Sequence, residues 1–294
     1  RVNSAKRLTR IPLDKWNGKA ENDAVINSAV DEVLGLCKKL EPNNAGQSKT
    51  VGCIVNHVGT AVKVADTLKK ENLSVKLIVG RMRPFDMKKL RDDHPDLFTC
   101  KGDSTIDVVV ATQTLEVGID LDFSSLVTEL APASSLTQRF GRVNRLGKRS
   151  DSQIIVLEPE NPDKIKDPVV LPYKAEDLRN AYNWLNDLSA FKSVNPGTML
   201  TCTPPATAPQ RMLYQRPELA DILEFARSSE TPYAEPDFDL WLHDSLEEQA
   251  ELGGVVVREY LPVNDSEALE LLKAFPPVNE EVFPANIKIL TNIY

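Results

Sequence analysis

Metal-ligating and redox-active residues are scarce in this sequence of 294 residues. It contains three histidines and four cysteines, and no two cysteines form a C-x-x-C pair. This spacing does not suit a metal cluster, so we expect reduced, mostly buried thiols and no metal site. Long apolar runs are also missing. The longest, such as Val108–Ala111, fall far short of the roughly 20 residues that cross a bilayer, so no membrane association is expected.

Two motifs that bind phosphates and magnesium are absent as well. No G-x-x-x-x-G-K-[S/T] loop occurs, because the Gly-Lys steps at Lys19 and Lys148 both lack the first glycine. The single Asp-Glu pair, Asp31-Glu32, falls within a helical pattern and is expected on a solvated face. The chain begins with Arg1 and carries no secretory leader, so we expect it to be a segment of a longer protein.

Charge is distributed unevenly along the chain. Residues 217–294 hold 17 acidic and 4 basic side chains, whereas residues 1–216 hold 26 acidic and 31 basic ones. The net charge of −8 therefore comes from the C-terminal part and does not argue against nucleic-acid binding by the first part. Residues 131–150 contain five basic side chains and no acidic one.

Short apolar runs alternate with helical patterns through the first half of the chain. Strands are predicted at 51–55, 75–79, 107–111, 126–130 and 153–157, and helices at 21–40, 60–70, 85–91 and 135–140. This alternation predicts an α/β fold with a parallel sheet covered by helices on both faces. Ligands of such sheets bind beyond the carboxyl ends of the strands, so the informative loops are expected there.

The pattern changes after residue 158. One more helix is predicted at 173–188, prolines mark a linker around 196–217, and the rest predicts a small α+β module. We therefore expect a linker or arm over 1–20, the α/β lobe over 21–160, a helix and Pro-rich linker over 161–216, and an acidic accessory domain over 217–294.

The most specific motif is QRFGRVNRLG, residues 138–147. Arg142 and Arg145 are three residues apart, which places them on one turn of a helix and lets both point the same way. Guanidinium groups match phosphate oxygens and stabilise charge that develops during phosphoryl transfer. The alternative interpretation is a basic surface patch.

A second motif, VATQTLEVGIDLDF, occupies residues 110–123. A buried strand runs into a loop in which Thr112 can bond a backbone phosphate and Gly118 permits close approach. Asp120 is an acceptor suited to a ribose hydroxyl. Taken alone, this loop is equally compatible with a plain connection between a strand and a helix.

Together the two motifs resemble motifs V and VI of superfamily 2 helicases, and every position of Q/H-R-x-G-R-x-x-R is matched. Residues 51–68 and 77–90 are similar to motifs IV and IVa of the same RecA-like lobe. The strings TQTLEVGIDLDF, QRFGRVNRLGKR and GRMRPFD resemble the type I CRISPR-associated helicase-nuclease, and the later VVVREYLPVN resembles its subtype U form.

The resemblance implies a role for each matching residue. Arg142 and Arg145 become arginine fingers, and Gly118, Asp120 and Gln138 lie beside ATP. Asn56, Arg81 and Thr112 contact the DNA backbone, although Asn56 as a turn residue and Arg81 as a solvated surface cation are open alternatives.

The same resemblance implies a 3′–5′ single-stranded DNA translocase that uses ATP and Mg²⁺ and acts in a prokaryotic cytoplasm. Its partners would be the Cascade surveillance complex, an N-terminal RecA-like lobe and an HD-type nuclease domain, the last two outside this chain. His243-Asp244 lacks partner histidines and is not expected to be that nuclease centre. The isolated chain is expected to be inactive as an ATPase. Two other functions are left open: a lobe of an RNA helicase or restriction translocase, and a non-enzymatic binding module.

Overall fold

The structure is a computed structural model of the whole chain. It describes residues 4–39, 49–80, 82–115, 120–167, 172–206, 218–226, 252–260 and 262–286. The predicted sites Arg81 and Gly118, and the dipeptide His243-Asp244, lie outside these residues.

Six strands form one parallel sheet, and five of them are the strands that the sequence predicts. They are β1 (Arg7–Leu13), β2 (Val51–Ile54), β3 (Val75–Ile78), β4 (Val108–Ala111), β5 (Ser125–Glu129) and β6 (Gln153–Pro159). Their order across the sheet is β1-β6-β5-β2-β4-β3, and every neighbouring pair is parallel. The fold class is confirmed as the α/β, RecA-like architecture.

Helices flank this sheet. They are α1 (Asp23–Lys39), α2 (Val58–Lys70), α3 (Pro84–Asp93), α4 (Ala133–Gly141), α5 (Ala175–Leu188) and α6 (Pro196–Thr201). Helix α1 packs against α2, and α4 packs against α5. Helix α4 follows β5 directly and, as the return arm of a parallel crossover, carries the chain back toward the end where the strands begin.

The centre of the sheet is buried on both faces. Strands β2, β4 and β5 have no exposed position, which is the burial that continuous Val/Ile-rich runs favour. Gly52 in β2 is a packing requirement, because a Cβ at this position would lie 2.7 Å from Cδ2 of the Phe123 ring. The absence of a side chain therefore lets Phe123 pack directly on the strand.

One part of the chain differs from the sequence prediction. Residues 7–13 form β1, an edge strand paired in register with β6 from Arg7–Gln153 to Leu13–Pro159, so they are not an unstructured arm. They mix the apolar residues Leu8, Ile11 and Leu13 with polar ones and include Pro12, which an edge strand tolerates. This half-exposed pattern lacks the continuous apolar run that identifies the central strands.

The molecule divides into two compact units, Arg1–Thr207 with Val256–Phe283, and Ala208–Val255 with Pro284–Tyr294. The later elements are α7 (Leu219–Phe225), β7 (Leu252–Val255), α8 (Asp265–Ala274) and β8 (Phe283–Asn286), with β7 and β8 forming a two-stranded sheet. The predicted accessory region 217–294 is thus shared between the units, and its role as one domain stays a prediction. In the described part of the chain, no helix is long and apolar enough to cross a membrane.

Candidate nucleotide and nucleic-acid sites

Two of the predicted DNA-contacting residues lie at the carboxyl ends of neighbouring strands. Asn56 follows β2, and Thr112 follows β4, its hydrogen-bonded neighbour in the sheet. The Gln113 side chain donates from Nε2 to the Asn56 carbonyl oxygen over 3.0 Å and so ties the two loops together. The structure therefore brings Asn56 and Thr112 to one place, as parallel strands require.

The Asn56 side chain is engaged inside the fold. Its amide nitrogen donates to the Leu130 carbonyl over 2.8 Å, and its Oδ1 accepts from Arg139 Nη2 over 3.3 Å. Its backbone N–H donates to Glu129 Oε2 over 2.9 Å. In this geometry Asn56 holds the loop in place, and its contact with DNA stays a prediction.

Arg139 is the most deeply buried charged residue of the motif QRFGRVNRLG, with 0% of its surface exposed. Its Nη1 donates to Thr128 Oγ1 over 2.9 Å, and its Nη2 donates to the Tyr173 hydroxyl over 3.0 Å. The basic segment that the sequence shows is therefore not a uniform surface patch. Its first arginine joins α4 to the ends of β2 and β5.

Glu129 belongs to the same buried cluster as Asn56 and Arg139. Burial raises the pKa of its carboxyl group, while the Asn56 N–H, His57 and Arg139 act in the opposite direction. The Arg139 guanidinium bonds the Glu129 backbone carbonyl over 3.2 Å and acts electrostatically on the buried carboxyl at the carboxyl end of β5.

Thr112 is also buried, at 3% exposure. Its N–H donates to the Ile78 carbonyl over 3.4 Å, and its hydroxyl lies 3.5 Å from that of Thr114. These contacts fix the first turn of the loop after β4. Whether its hydroxyl contacts a phosphate is not tested by this geometry and stays a prediction.

The arginine pair is carried by a turn rather than by a helix. Helix α4 ends at Gly141, Arg142 is its C-cap, and Asn144 adopts a left-handed conformation with φ of 44°. The expectation that Arg142 and Arg145 share one helical turn is therefore wrong. We call residues 142–149 the arginine turn.

A neighbouring segment fixes this turn. Phe123 and Val143 form an isolated parallel bridge, in which the Phe123 N–H donates to the Arg142 carbonyl over 2.8 Å. The Asn144 N–H in turn donates to the Phe123 carbonyl over 3.0 Å. The turn is thereby docked on the residues that lead into β5.

Three predicted nucleotide contacts converge here. The Arg145 guanidinium forms an ion pair with the exposed Asp120 carboxylate, with Nη1 and Oδ1 2.8 Å apart. Burial and the neighbouring Arg145 charge lower the pKa of Arg142, and Asp120 opposes that effect. Arg142 and Arg145 thus act electrostatically on each other beside one exposed carboxylate, and an anion such as a phosphate would stabilise this arrangement. Gln138 is exposed on α4.

Asp122 and Arg149, which the sequence did not single out, form the base of the arginine turn. Asp122 Oδ1 accepts the Arg145 backbone N–H over 2.7 Å, and Oδ2 pairs with Arg149 Nη1 over 2.7 Å. Both side chains of the pair are buried. In the sequence, Asp122 is marked only as a polar residue between two apolar residues, Leu121 and Phe123, both of which are buried.

The Asn144 side chain closes the same turn. Its Nδ2 donates to the Arg149 carbonyl over 2.7 Å, and its Oδ1 accepts the Arg149 N–H over 3.0 Å. Asparagine tolerates the left-handed conformation that this position requires. The two arginine side chains therefore project from a turn whose backbone is bonded on several sides.

The two groups of site residues lie at opposite ends of the sheet. Asn56 and Thr112 follow strands, whereas Phe123 precedes β5, and the adjacent Ser124 N–H donates to the Thr50 carbonyl just before β2. A five-residue strand such as β5 spans roughly 16 Å. The expectation that all ligands bind beyond the carboxyl ends of the strands is therefore wrong for the arginine pair.

Among the described residues, no group of three or more His, Cys, Asp and Glu side chains could hold a metal ion. The residues at the arginine turn suit the phosphates of a nucleotide rather than the metal.

The parallel six-stranded sheet has the RecA-like α/β architecture, and the arginine turn carries the segment that resembles motif VI of superfamily 2 helicases. Comparison with known proteins makes the class more specific. Residues 47–148 match the family of the CRISPR-associated nuclease/helicase Cas3, C-terminal. A CRISPR-associated nuclease/helicase Cas3 from Haloferax volcanii is 33% identical over 147 residues, which cover 47% of this chain and 15% of that protein.

Solved structures agree in fold. Cas3 of T. fusca with AMPPNP superposes with a TM-score of 0.52 at 21% identity, covering 69% of this chain and 23% of that one. A chain of a CRISPR RNA-guided surveillance complex in a pre-nicking state gives a TM-score of 0.51 at 21% identity, covering 68% of this chain and 25% of that one. The resemblance to the CRISPR-associated helicase-nuclease is confirmed over residues 47–148, the part of the chain that matches the Cas3 C-terminal family. The match covers 15% of the Haloferax volcanii relative's length.

Proposed function

We propose that this chain is the second lobe of an ATP-driven translocase that moves 3′ to 5′ along single-stranded DNA in type I CRISPR interference. In this role Arg142 and Arg145 act on the γ-phosphate of ATP, with Asp120 and Gln138 beside the nucleotide. The observation that carries the proposal is the convergence of two guanidinium groups on a turn that is bonded to Asp122 and Phe123. Such fixed donors stabilise charge that develops during phosphoryl transfer.

Residues 112–120 join the two proposed sites, as coupling between ATP hydrolysis and DNA movement would require. Thr112 lies at the carboxyl end of β4, and Asp120 lies beside the arginine turn, so one short stretch of chain leads from the proposed DNA contact to the proposed nucleotide contact. A change at the nucleotide would then reach the DNA grip along this stretch of chain. DNA contacts made in this way would be mostly to phosphates, and hence insensitive to sequence and sensitive to salt.

The partners in this proposal lie outside the chain. A first RecA-like lobe would supply the phosphate loop and Mg²⁺ ligands that this sequence lacks, and an HD-type domain would supply the nuclease. Cascade is the proposed recruiting partner, supported by the fold match to a chain of a surveillance complex. The proposed contacts of Gly118 with ATP and of Arg81 with DNA rest on the sequence motifs alone.

The finger assignment is tested by Arg142→Ala and Arg145→Ala in the two-lobed protein. We expect each variant to lower DNA-stimulated kcat for ATP by on the order of a thousandfold. Nucleotide binding, followed with a fluorescent ATP analogue, should remain within about threefold of that of the unmodified protein. Lys69→Ala, on the exposed side of α2, serves as the surface control. Normal turnover in both arginine variants would show that neither residue acts as an arginine finger.

The DNA assignment is tested by Thr112→Val, which keeps the side-chain shape and removes only the hydroxyl. We expect the DNA concentration for half-maximal ATPase stimulation to rise by about fivefold, since one phosphate hydrogen bond contributes roughly 1 kcal/mol. Saturating turnover should be unchanged. Stimulation by RNA equal to that by DNA would favour an RNA helicase instead.

A further inference from the structure

The segment just before β1 contacts the arginine turn at two points. Lys6 donates from Nζ to the Phe140 carbonyl oxygen over 2.9 Å, and the Ala5 carbonyl oxygen accepts from Asn144 Nδ2 over 3.1 Å. Phe140 lies two residues before Arg142, and Asn144 immediately precedes Arg145. The two contacts therefore flank the first arginine and reach the base of the second.

Lys6 is built into the fold rather than placed on its surface. Only 4% of its surface is exposed, and its backbone is held by the Ser193 hydroxyl on one side and the Val194 N–H on the other. The ammonium group lies near the end of α4, where unpaired carbonyl groups favour a cation. Asp122 also interacts electrostatically with it, so Lys6 belongs to the same buried polar group as Asp122 and Arg149.

A buried lysine costs free energy unless its charge is paired or hydrogen-bonded. The hydrogen bond from Lys6 to the Phe140 carbonyl oxygen supplies such a partner at the last turn of α4. The same carbonyl accepts the Val143 N–H, so Lys6 bonds the backbone that turns from the helix into the arginine turn.

We infer that Ala5 and Lys6 form a positioning clamp for the arginine turn: they hold Arg142 and Arg145 in the geometry that hydrolysis needs without touching the nucleotide. This inference rests on the proposed function for its kinetic consequence, but not for the clamp itself. A displacement of residues 4–6 would then loosen both arginines together, which makes this segment a point of control over hydrolysis.

The clamp itself is tested on this chain by hydrogen–deuterium exchange of Lys6→Met and Asn144→Gly. Met keeps the length of the side chain, and Gly keeps the left-handed backbone while removing the amide group. We expect exchange of the amides of residues 142–147 to accelerate by about tenfold in each variant, with α1 and α2 unchanged. Lys69→Met is the matched surface control. Unchanged exchange over 142–147 in both variants would overturn the clamp.

Its kinetic role is tested in the two-lobed protein with the same variants beside Arg145→Ala. A positioning role predicts that Lys6→Met lowers kcat by about tenfold while KM for ATP stays within about twofold, and that Lys6→Arg, which keeps a charged donor, recovers part of the loss. If Arg145→Ala abolishes turnover but Lys6→Met leaves kcat unchanged, the positioning role is wrong and the proposed function stands. If Arg145→Ala itself turns over normally, the proposed function fails, and the exchange experiment alone decides the clamp.

Discussion

At the scale of single residues, charged side chains buried beneath the two site regions organise this lobe. Arg139, Glu129, Asp122, Arg149 and Lys6 are each less than a tenth exposed or held in a buried ion pair. Charged groups are seldom buried unless they are paired or hydrogen-bonded. Each of them lies beneath a loop that carries a predicted site residue. Burying these charges lowers stability, and the same side chains fix the geometry of the loops above them.

Replacing Arg139 should have the largest effect on stability. Arg139→Met leaves the Thr128 hydroxyl, the Tyr173 hydroxyl and the Asn56 side chain short of a donor inside the protein. We expect the free energy of unfolding to fall by about 3 kcal/mol, measured by urea denaturation of this chain. Arg7→Met, at an exposed position of β1, should change it by less than about 0.5 kcal/mol. Equal effects of the two substitutions would show that the buried network is not stabilising.

Lys6 should make stability depend on pH in the alkaline range. Burial lowers the pKa of its ammonium group from 10.5 to about 8 in the folded protein. Between these values the unfolded chain binds more protons than the folded one, so folding becomes more favourable as pH rises from about 8 to 10.5. Below about pH 8 both states are protonated, and the burial cost is constant.

The measurement compares the unmodified chain with Lys6→Met across that window. As pH rises from 8 to 10.5, the free energy of unfolding of the unmodified chain should increase relative to that of Lys6→Met by at most about 3 kcal/mol. A difference that stays flat, or moves the other way, would mean that Lys6 is not a buried cation at neutral pH.

At the scale of elements, the central strands were predictable and the arginine turn was not. Strands β2, β4 and β5 are continuous apolar runs, so their burial follows from sequence alone. Edge strand β1 lacks such a run and was interpreted as an arm. The arginine spacing suggests a helix, but Asn144 adopts a left-handed conformation that a continuing helix excludes. The partners of the arginine turn, Ala5 and Asp122, come from distant parts of the chain.

The same limit applies to Arg139 and Asp122. The motif pattern marks Arg139 as part of a basic segment, but its burial depends on Thr128, Asn56 and Tyr173, which only the folded chain brings together. The sequence predicts where Asn56 and Thr112 lie, because each follows a strand. It could not locate the residues beneath them, since hydrogen-bond partners distant in sequence leave no local signal.

Contact between two elements gives a sharp test at Gly52. In Gly52→Ala the new Cβ meets the Phe123 ring at 2.7–3.0 Å, and Phe123 is bonded through its backbone to Arg142 and Asn144. We expect a loss of about 1–3 kcal/mol in the free energy of unfolding. Turnover in the two-lobed protein should also fall, because movement of Phe123 displaces the arginine turn.

Gly35→Ala is the matched control for that substitution. Gly35 lies in α1, and a Cβ there meets nothing within 4 Å. Alanine should therefore leave turnover unchanged and slightly raise stability, as expected of alanine in a helix. If Gly52→Ala behaves in the same way as Gly35→Ala, Phe123 does not link the sheet to the arginine turn.

At the scale of the whole molecule, the two groups of proposed site residues are separated by the length of a strand. Asn56 and Thr112 are buried where strands end, and Asp120, Arg142 and Arg145 lie where β5 begins. The ion pair of Asp120 and Arg145 is partly exposed, so it can face a partner that this chain does not contain. The arrangement suits half of a motor, in which a first lobe completes the nucleotide site.

The most direct test of this account measures ATP hydrolysis by the isolated chain and by the chain mixed with a first RecA-like lobe, each with and without single-stranded DNA. The account predicts no hydrolysis by the chain alone and DNA-stimulated hydrolysis on mixing, which Arg145→Ala abolishes. Hydrolysis by the isolated chain, sensitive to mutations within it, would contradict the account and show that a complete nucleotide site exists here.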